Sequence, residues 1–280
     1  MIEEPLQFGI GGRLFAILTM PEGSSHEAAN RPVFVFLSSG LLHRIGPRRL
    51  YVRLARALAR EGFSSLRVDL AGRGDSAPAG GLGDEQATAE DFEEIASVLE
   101  SRLGAERLII GGLCSAADDA LRLAPKNSRV VGMLLLDPVC DRDRGFHVRK
   151  LFGKFMRSMT PACYSRWFKR RVRALTRERR TTMESTIDRL AIRSYPNREE
   201  MRAAFEAIRD RNGRVLSVFT SYATQYLNRS GQLERVLTVA GYQQFCTERF
   251  WPGAEHSFPL ELHRQRLIEE VTTWAAAWAS

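Results

Sequence analysis

The sequence predicts an α/β fold, a mainly parallel sheet covered by helices on both faces and interrupted by a helical cap. Short β-branched and aromatic runs alternate with segments of helical apolar spacing, as parallel strands joined by crossover helices require. The apolar run Leu108-Ile109-Ile110-Gly111 leads into Gly112-Leu113-Cys114-Ser115-Ala116, a small-x-Cys-x-small pentapeptide suited to a sharp strand-to-helix turn. From about Val139 to Arg211 the alternation gives way to a helical, strongly charged stretch. The expected division is therefore a core from residues 1–138 and 212–280, with residues 139–211 as a basic helical cap. With 280 residues, 44% of them hydrophobic, the chain can bury the core of one large domain.

In chain order, Leu14 to Leu18 reads as a strand ending near Pro21-Glu22-Gly23, and Pro32 to Leu37 as a strand buried on both faces. A loop from Ser38 to Pro47 precedes Leu50, Leu54, Ala57 and Leu58 at helical spacing, which stop at Gly62. Ser65 to Leu70 returns as a strand, followed by the loop Ala71 to Ser76 and a helix from about Ala87 to Leu103 with acidic residues near its start, where the helix dipole favours them. After the Cys114 turn a helix runs through Leu123, and Met133 to Leu136 is a strand ending at Asp137-Pro138. In the cap, Phe152, Phe155, Met156, Trp167 and Phe168 are the expected core-facing anchors. Strands are expected again at Arg214 to Phe219 and at Tyr242-Gln243-Gln244-Phe245. The closing helix, from about Leu262 to Trp278, aligns Leu267, Ile268, Val271, Trp274 and Trp278 on one face, so its tryptophans should pack on the sheet.

Composition narrows the function classes. No run approaches the ~18 to 20 apolar residues of a membrane span, and Met1-Ile2-Glu3-Glu4-Pro5 is acidic with no apolar stretch behind it, so a cytoplasmic protein is expected. Cys114, Cys140, Cys163 and Cys246 lack C-x-x-C spacing, which argues for free thiols and against a zinc site or disulfide framework. No metal and no cofactor is expected. The net charge of +8 is concentrated, since residues 141–180 hold 14 Lys and Arg against three Asp and Glu. Such a segment attracts a phosphorylated ligand, an acidic carrier protein, nucleic acid or an anionic membrane, or is simply a solvated arginine-rich face. Nucleic acid is disfavoured, because no reading motif accompanies the charge.

The chemistry centres on Cys114. Small residues two before and two after it permit a strained turn that lifts the side chain off the sheet. The frame centred on Ser115 would put Leu113 and Ala117 at the flanks, and a leucine fits poorly where strand and helix approach closely. The plain alternative is a cysteine buried as a small hydrophobe. His256, in Gly253-Ala254-Glu255-His256-Ser257-Phe258 ahead of the last helix, is the candidate base. The order of loop, elbow and late histidine is the plan of the α/β-hydrolases. In that plan the backbone N–H groups of Leu41 and Ser115 would hold an oxyanion, and His43 would either touch substrate or pack within its loop. An aspartate is expected just after the strand Val215 to Phe219, yet no carboxylate appears until Glu234. Asp137 could supply it, or act only as a turn former, and Gln225 or Asn228 could orient the histidine as a neutral amide. Asp69 and Asp75 read as loop stabilisers, and Asp118 and Asp119 as residues that suit a helix dipole.

Four segments together resemble the hydrolases associated with exosortase systems and similar α/β-hydrolases near acyl-assembly gene clusters. They are Gly40-Leu41-Leu42-His43-Arg44-Ile45-Gly46-Pro47-Arg48, the run Arg67 to Ser76, the elbow, and Ala254-Glu255-His256-Ser257-Phe258. The match covers most of the chain outside the cap, and the His43-Arg44 loop is its most family-like part, which makes both residues candidate substrate contacts. The resemblance implies an esterase, thioesterase or acyltransferase activity and settles no substrate. From the residues, the expected site is Cys114, His256 and Asp137 acting on an ester or thioester, and the basic cap could dock phosphopantetheine, coenzyme A or an acidic acyl carrier protein. A degenerate fold that kept only binding is the alternative.

Overall fold

The computed structural model describes residues 1–23, 31–40, 42–81, 84–158 and 195–278, with backbone alone for 153–158. Its strands are β1 (Ile2–Phe8), β2 (Leu14–Met20), β3 (Val33–Leu37), β4 (Ser65–Asp69), β5 (Leu108–Leu113), β6 (Val130–Leu136), β7 (Arg214–Phe219) and β8 (Cys246–Phe250). They form one sheet in the order β1-β2-β4-β3-β5-β6-β7-β8. The pairs β1–β2 and β2–β4 are antiparallel and the remaining pairs parallel. The helices are α1 (Leu50–Arg60), α2 (Asp84–Leu103), α3 (Ser115–Leu123), α4 (Phe146–Ser158), α5 (Arg198–Asp210), α6 (Gln232–Leu237), α7 (Tyr242–Phe245) and α8 (Glu261–Ala276).

The doubly covered sheet follows from the apolar runs. Every residue of β3, β5 and β6 is buried, and successive side chains of a strand point to opposite faces. Phe34 and Phe36 therefore join the cluster of α1 and α8, with Trp274 and Trp278, while Val33, Val35 and Leu37 join that of α2, α3 and α5. Each such side chain contributes about 1.5–3 kcal/mol on burial. The tryptophans of α8 pack on the sheet as expected.

Four features depart from the sequence expectation. β1 is a strand the patterning misses, because Glu3, Glu4 and Pro5 suppress its apolar signal; only Leu6 is buried, and an edge strand tolerates proline and charge. α5 falls within the expected cap, yet it is the crossover between β6 and β7. It is started by a capping box between Asn197 and Glu200 and buries Met201, Ala204, Phe205 and Ile208. Tyr242 to Phe245 is the helical turn α7 and not a strand: Gly241 enters it at φ 69°, and Tyr242 stacks on Phe205 at 5.7 Å. The last strand starts at Cys246. Phe152 is 63% exposed and is not a core-facing anchor among the described residues, while the side chains of Phe155 and Met156, and Trp167 and Phe168 altogether, lie outside them.

Among the described residues Cys114, Cys140 and Cys246 are free thiols; Cys163 lies outside them. No helix among them is long and apolar enough to cross a membrane, and none of their His, Cys, Asp and Glu residues cluster to hold a metal ion.

Candidate active site

Cys114 stands between the end of β5 and the start of α3 with φ 61° and ψ −119°. A non-glycine residue occupies that region only at a cost of order 1–3 kcal/mol, sustained by its surroundings. Those surroundings are visible. The Cys114 N–H donates to the Leu136 carbonyl at 2.8 Å, and the Leu113 N–H donates to the buried Tyr51 hydroxyl at 2.7 Å. A Cβ added to Gly112 would lie 2.5 Å from the Tyr51 hydroxyl and 2.8 Å from Ala116 Cβ, so the small residues flanking Cys114 are dictated by space. Ser115 is the first residue of α3, and its hydroxyl accepts from the Gly40 N–H at 2.8 Å. The crest of the turn is thus Cys114, while Ser115 ties the loop after β3 to the elbow helix.

Asp137 follows β6 directly and is fully buried. Its Oδ1 accepts from the Thr220 N–H at 2.6 Å, and its Oδ2 accepts from the Thr220 hydroxyl at 2.6 Å. The same Oδ2 accepts from His256 Nδ1 at 2.7 Å. Thr220 occupies the position after β7 where the aspartate was expected, so the carboxylate comes from the neighbouring strand and the threonine aims it. Neither neutral alternative fills this role: the Asn228 amide accepts from Arg149 and donates to the Phe146 carbonyl, and Gln225 lies at an outer cavity.

His256 sits in a loop held at both ends. The Ser221 N–H donates to the Ala254 carbonyl at 2.8 Å, and the Phe258 N–H to the Glu255 carbonyl at 2.9 Å, with the Phe258 ring fully buried. Because Nδ1 is taken by Asp137, Nε2 is left for the Cys114 thiol, which lies within hydrogen-bonding reach. Burial pulls the imidazole pKa down, but the hydrogen bonds to Asp137 and Cys114 outweigh it and raise the value to about 9. Tyr222 stacks on the imidazole with ring centroids 4.2 Å apart and planes at 28°.

The remaining sequence candidates separate. Arg44 donates to Asp69 at 2.5 Å and Asp75 at 2.6 Å and lies over the Phe15 ring at 4.4 Å, so it clamps its own loop. His43 is exposed on that loop. Leu41 lies outside the described residues. Asp69 and Asp75 stabilise loops, as expected, and a Cβ on Gly74 would collide with the Asp69 carboxylate. Asp118 accepts from the Val139 N–H at 3.4 Å, and Asp119 pairs with Arg73 at 3.4 Å. Tyr51, Thr220 and Tyr222 escape the sequence reading. Only Thr220 carried a signal, as a hydroxyl at the position of the missing acid.

No protein-family model and no curated protein matches the chain. Solved structures do. Est1E from Butyrivibrio proteoclasticus, determined with ferulic acid bound, is 16% identical over 95% of both chains with a TM-score of 0.54. A thermophilic esterase from Thermogutta terrifontis is 17% identical over the whole of both chains with a TM-score of 0.54. Dienelactone hydrolase from Anabaena variabilis is 13% identical over 99% of this chain and 98% of its own, with a TM-score of 0.55. The fold is the α/β-hydrolase fold.

Proposed function

We propose that the protein hydrolyses or transfers acyl groups from an ester or thioester through a covalent acyl-Cys114 intermediate. The observation that supports this most is His256 held between the buried Asp137 and the thiol of Cys114 at the crest of a strained turn. Cys114 Sγ attacks the acyl carbon, forming the C–S bond, and the displaced alcohol or thiol leaves with the proton held on His256 Nε2. A water, or a second alcohol or thiol, then gives its proton to Nε2 and attacks the acyl carbon, breaking the C–S bond and restoring the thiol. Asp137 keeps the imidazole in one orientation and offsets its charge. The N–H of Ser115, at the start of α3 with no carbonyl one turn back, faces the developing oxyanion as a donor.

Asp137 and Cys114 together raise the imidazole pKa, and an imidazolium is the counter-ion that a thiolate nucleophile pairs with. A carboxylate, an imidazole and a thiol in series favour chemistry over binding alone. Coenzyme A or an acidic acyl carrier protein fits the basic balance of residues 141–180 as the acyl carrier. Hydrolysis of short p-nitrophenyl esters and of uncharged thioesters tests the reading. C114A and H256A should each lower kcat/KM by about 10⁴-fold or more, whereas undiminished turnover in either variant would overturn it.

A further inference from the structure

Two adjoining cavities lie beyond Tyr222. The first, about 560 Å³, is lined by Tyr222, Tyr226, Tyr195, Val139 and Asp141 and shares Arg142 and Arg198 with the second. The second, about 780 Å³, presents Arg142, Arg144, Arg149, Arg198, Arg202 and Arg235 against only Asp143 and Glu199. Several of these arginines are already engaged. Arg149 pairs with Asp143, Arg198 with Asp141 and Arg202 with Glu206. Arg142 donates to the Gln225 carbonyl at 3.1 Å and lies over the Phe146 ring at 5.2 Å, and no carboxylate among the described residues forms an ion pair with it. Among the described residues no carboxylate forms an ion pair with Arg144 or Arg235, and Arg235 shares the field of Asp143 with Arg149 and Arg229, so six guanidinium groups face two carboxylates in one concavity.

We infer that this arginine-lined cavity binds the phosphate of a phosphate-bearing acyl donor whose acyl end enters past Tyr222 toward Cys114. Guanidinium forks match phosphate oxygens in geometry and charge. The first cavity, with three tyrosines and Val139 beside Asp141, Arg142 and Arg198, leads from the anionic end to the ring that covers His256. The assignment of the acyl end rests on the proposed acyl chemistry; the phosphate site does not.

Calorimetric titration of the full-length protein with inorganic pyrophosphate, coenzyme A and 4′-phosphopantetheine tests the site. The last two separate a nucleotide polyphosphate from the lone phosphate of a carrier arm. At least one should bind, and the double variant R144Q/R235Q should weaken it by at least about tenfold, the scale of a lost charge-assisted hydrogen bond. R129Q, a charge removed from the exposed pair with Glu100, controls for net charge and should leave binding unchanged. In turnover, the preference for a coenzyme A thioester over an uncharged thioester of the same acyl group should fall in the double variant, through KM. Absence of binding by all three probes, or equal weakening by R129Q, would overturn the site. Phosphate binding without acylation of Cys114 would retain the site and remove the acyl reading; acylation without phosphate binding would do the reverse.

Discussion

Two buried aspartates at the ends of sheet strands face partners of different kinds. Asp69, at the end of β4, and Asp137, just after β6, are both fully inaccessible. The Asp69 carboxylate is filled by the Arg44 N–H and guanidinium and by the Asp75 N–H. Its cation is permanent, so the result is a fixed loop. Asp137 receives two donors from one threonine and keeps its remaining capacity for an imidazole. There the partner titrates and has a second nitrogen to spend. The two carboxylates are alike in burial and hydrogen bonding and differ in the charge behaviour of their partners, which is why the proposed chemistry falls to Asp137 and not to Asp69.

The largest expected separation is between the two asparagine variants. D137N should lower kcat/KM by about 10³-fold or more, because an amide no longer offsets the imidazolium and permits the wrong tautomer, and it should also lose the stability that comes from the raised imidazole pKa. D69N should instead leave the Arg44 guanidinium underpaired and lower stability by about 3 kcal/mol, with kcat per folded molecule retained. Denaturant titration beside steady-state kinetics checks both, and two variants with the same profile would erase the distinction.

The next effect is on stability against pH. The His256 pKa is raised from the usual 6.5 to about 9 in the folded protein. Its stabilising contribution is therefore complete below about pH 6.5 and is lost as pH rises through 9. Urea titrations across that window should show stability falling in the wild type, with the slope flattened in D137N. In D69N the slope should persist.

A smaller change is expected from T220V, which removes one donor from the Asp137 carboxylate but keeps its shape. A hydrogen bond to a charged group contributes about 1.5–3 kcal/mol, so kcat/KM should fall on the order of tenfold and the pH window of stability should shift. Y222L, which removes the ring stacked on His256, should be the mildest, with a several-fold loss and a lowered apparent pKa in the kcat/KM profile, since an aromatic face over an imidazolium contributes about 0.5–2 kcal/mol. An unchanged profile in Y222L would mean the stack is packing alone.

What the sequence could disclose follows from the same physics. The elbow was legible because Gly112 and Ala116 are forced by space that Tyr51 and Leu37 already fill. The sheet was legible because β3, β5, β6 and β7 are buried runs, but β1 hid behind its glutamates and proline. α5 carried Arg198, Glu199, Glu200 and Arg202 on its outer side and so read as cap, although its inner side closes the core. Asp137 stayed open against Gln225 and Asn228 because a carboxylate arriving from the adjacent strand depends on register, and register is a property of the paired sheet rather than of any one segment. Tyr222 meets His256 across 34 residues of chain, a proximity with no local pattern to announce it.

The most direct measurement is the mass of the protein quenched in acid after brief exposure to an acyl thioester, followed by mapping of the modified peptide. Wild-type protein should gain one acyl group on the peptide containing Cys114, and C114S should gain none. An acyl group on a different residue, or none while iodoacetamide labels Cys114 readily, would contradict a nucleophilic sulfur at the crest of β5.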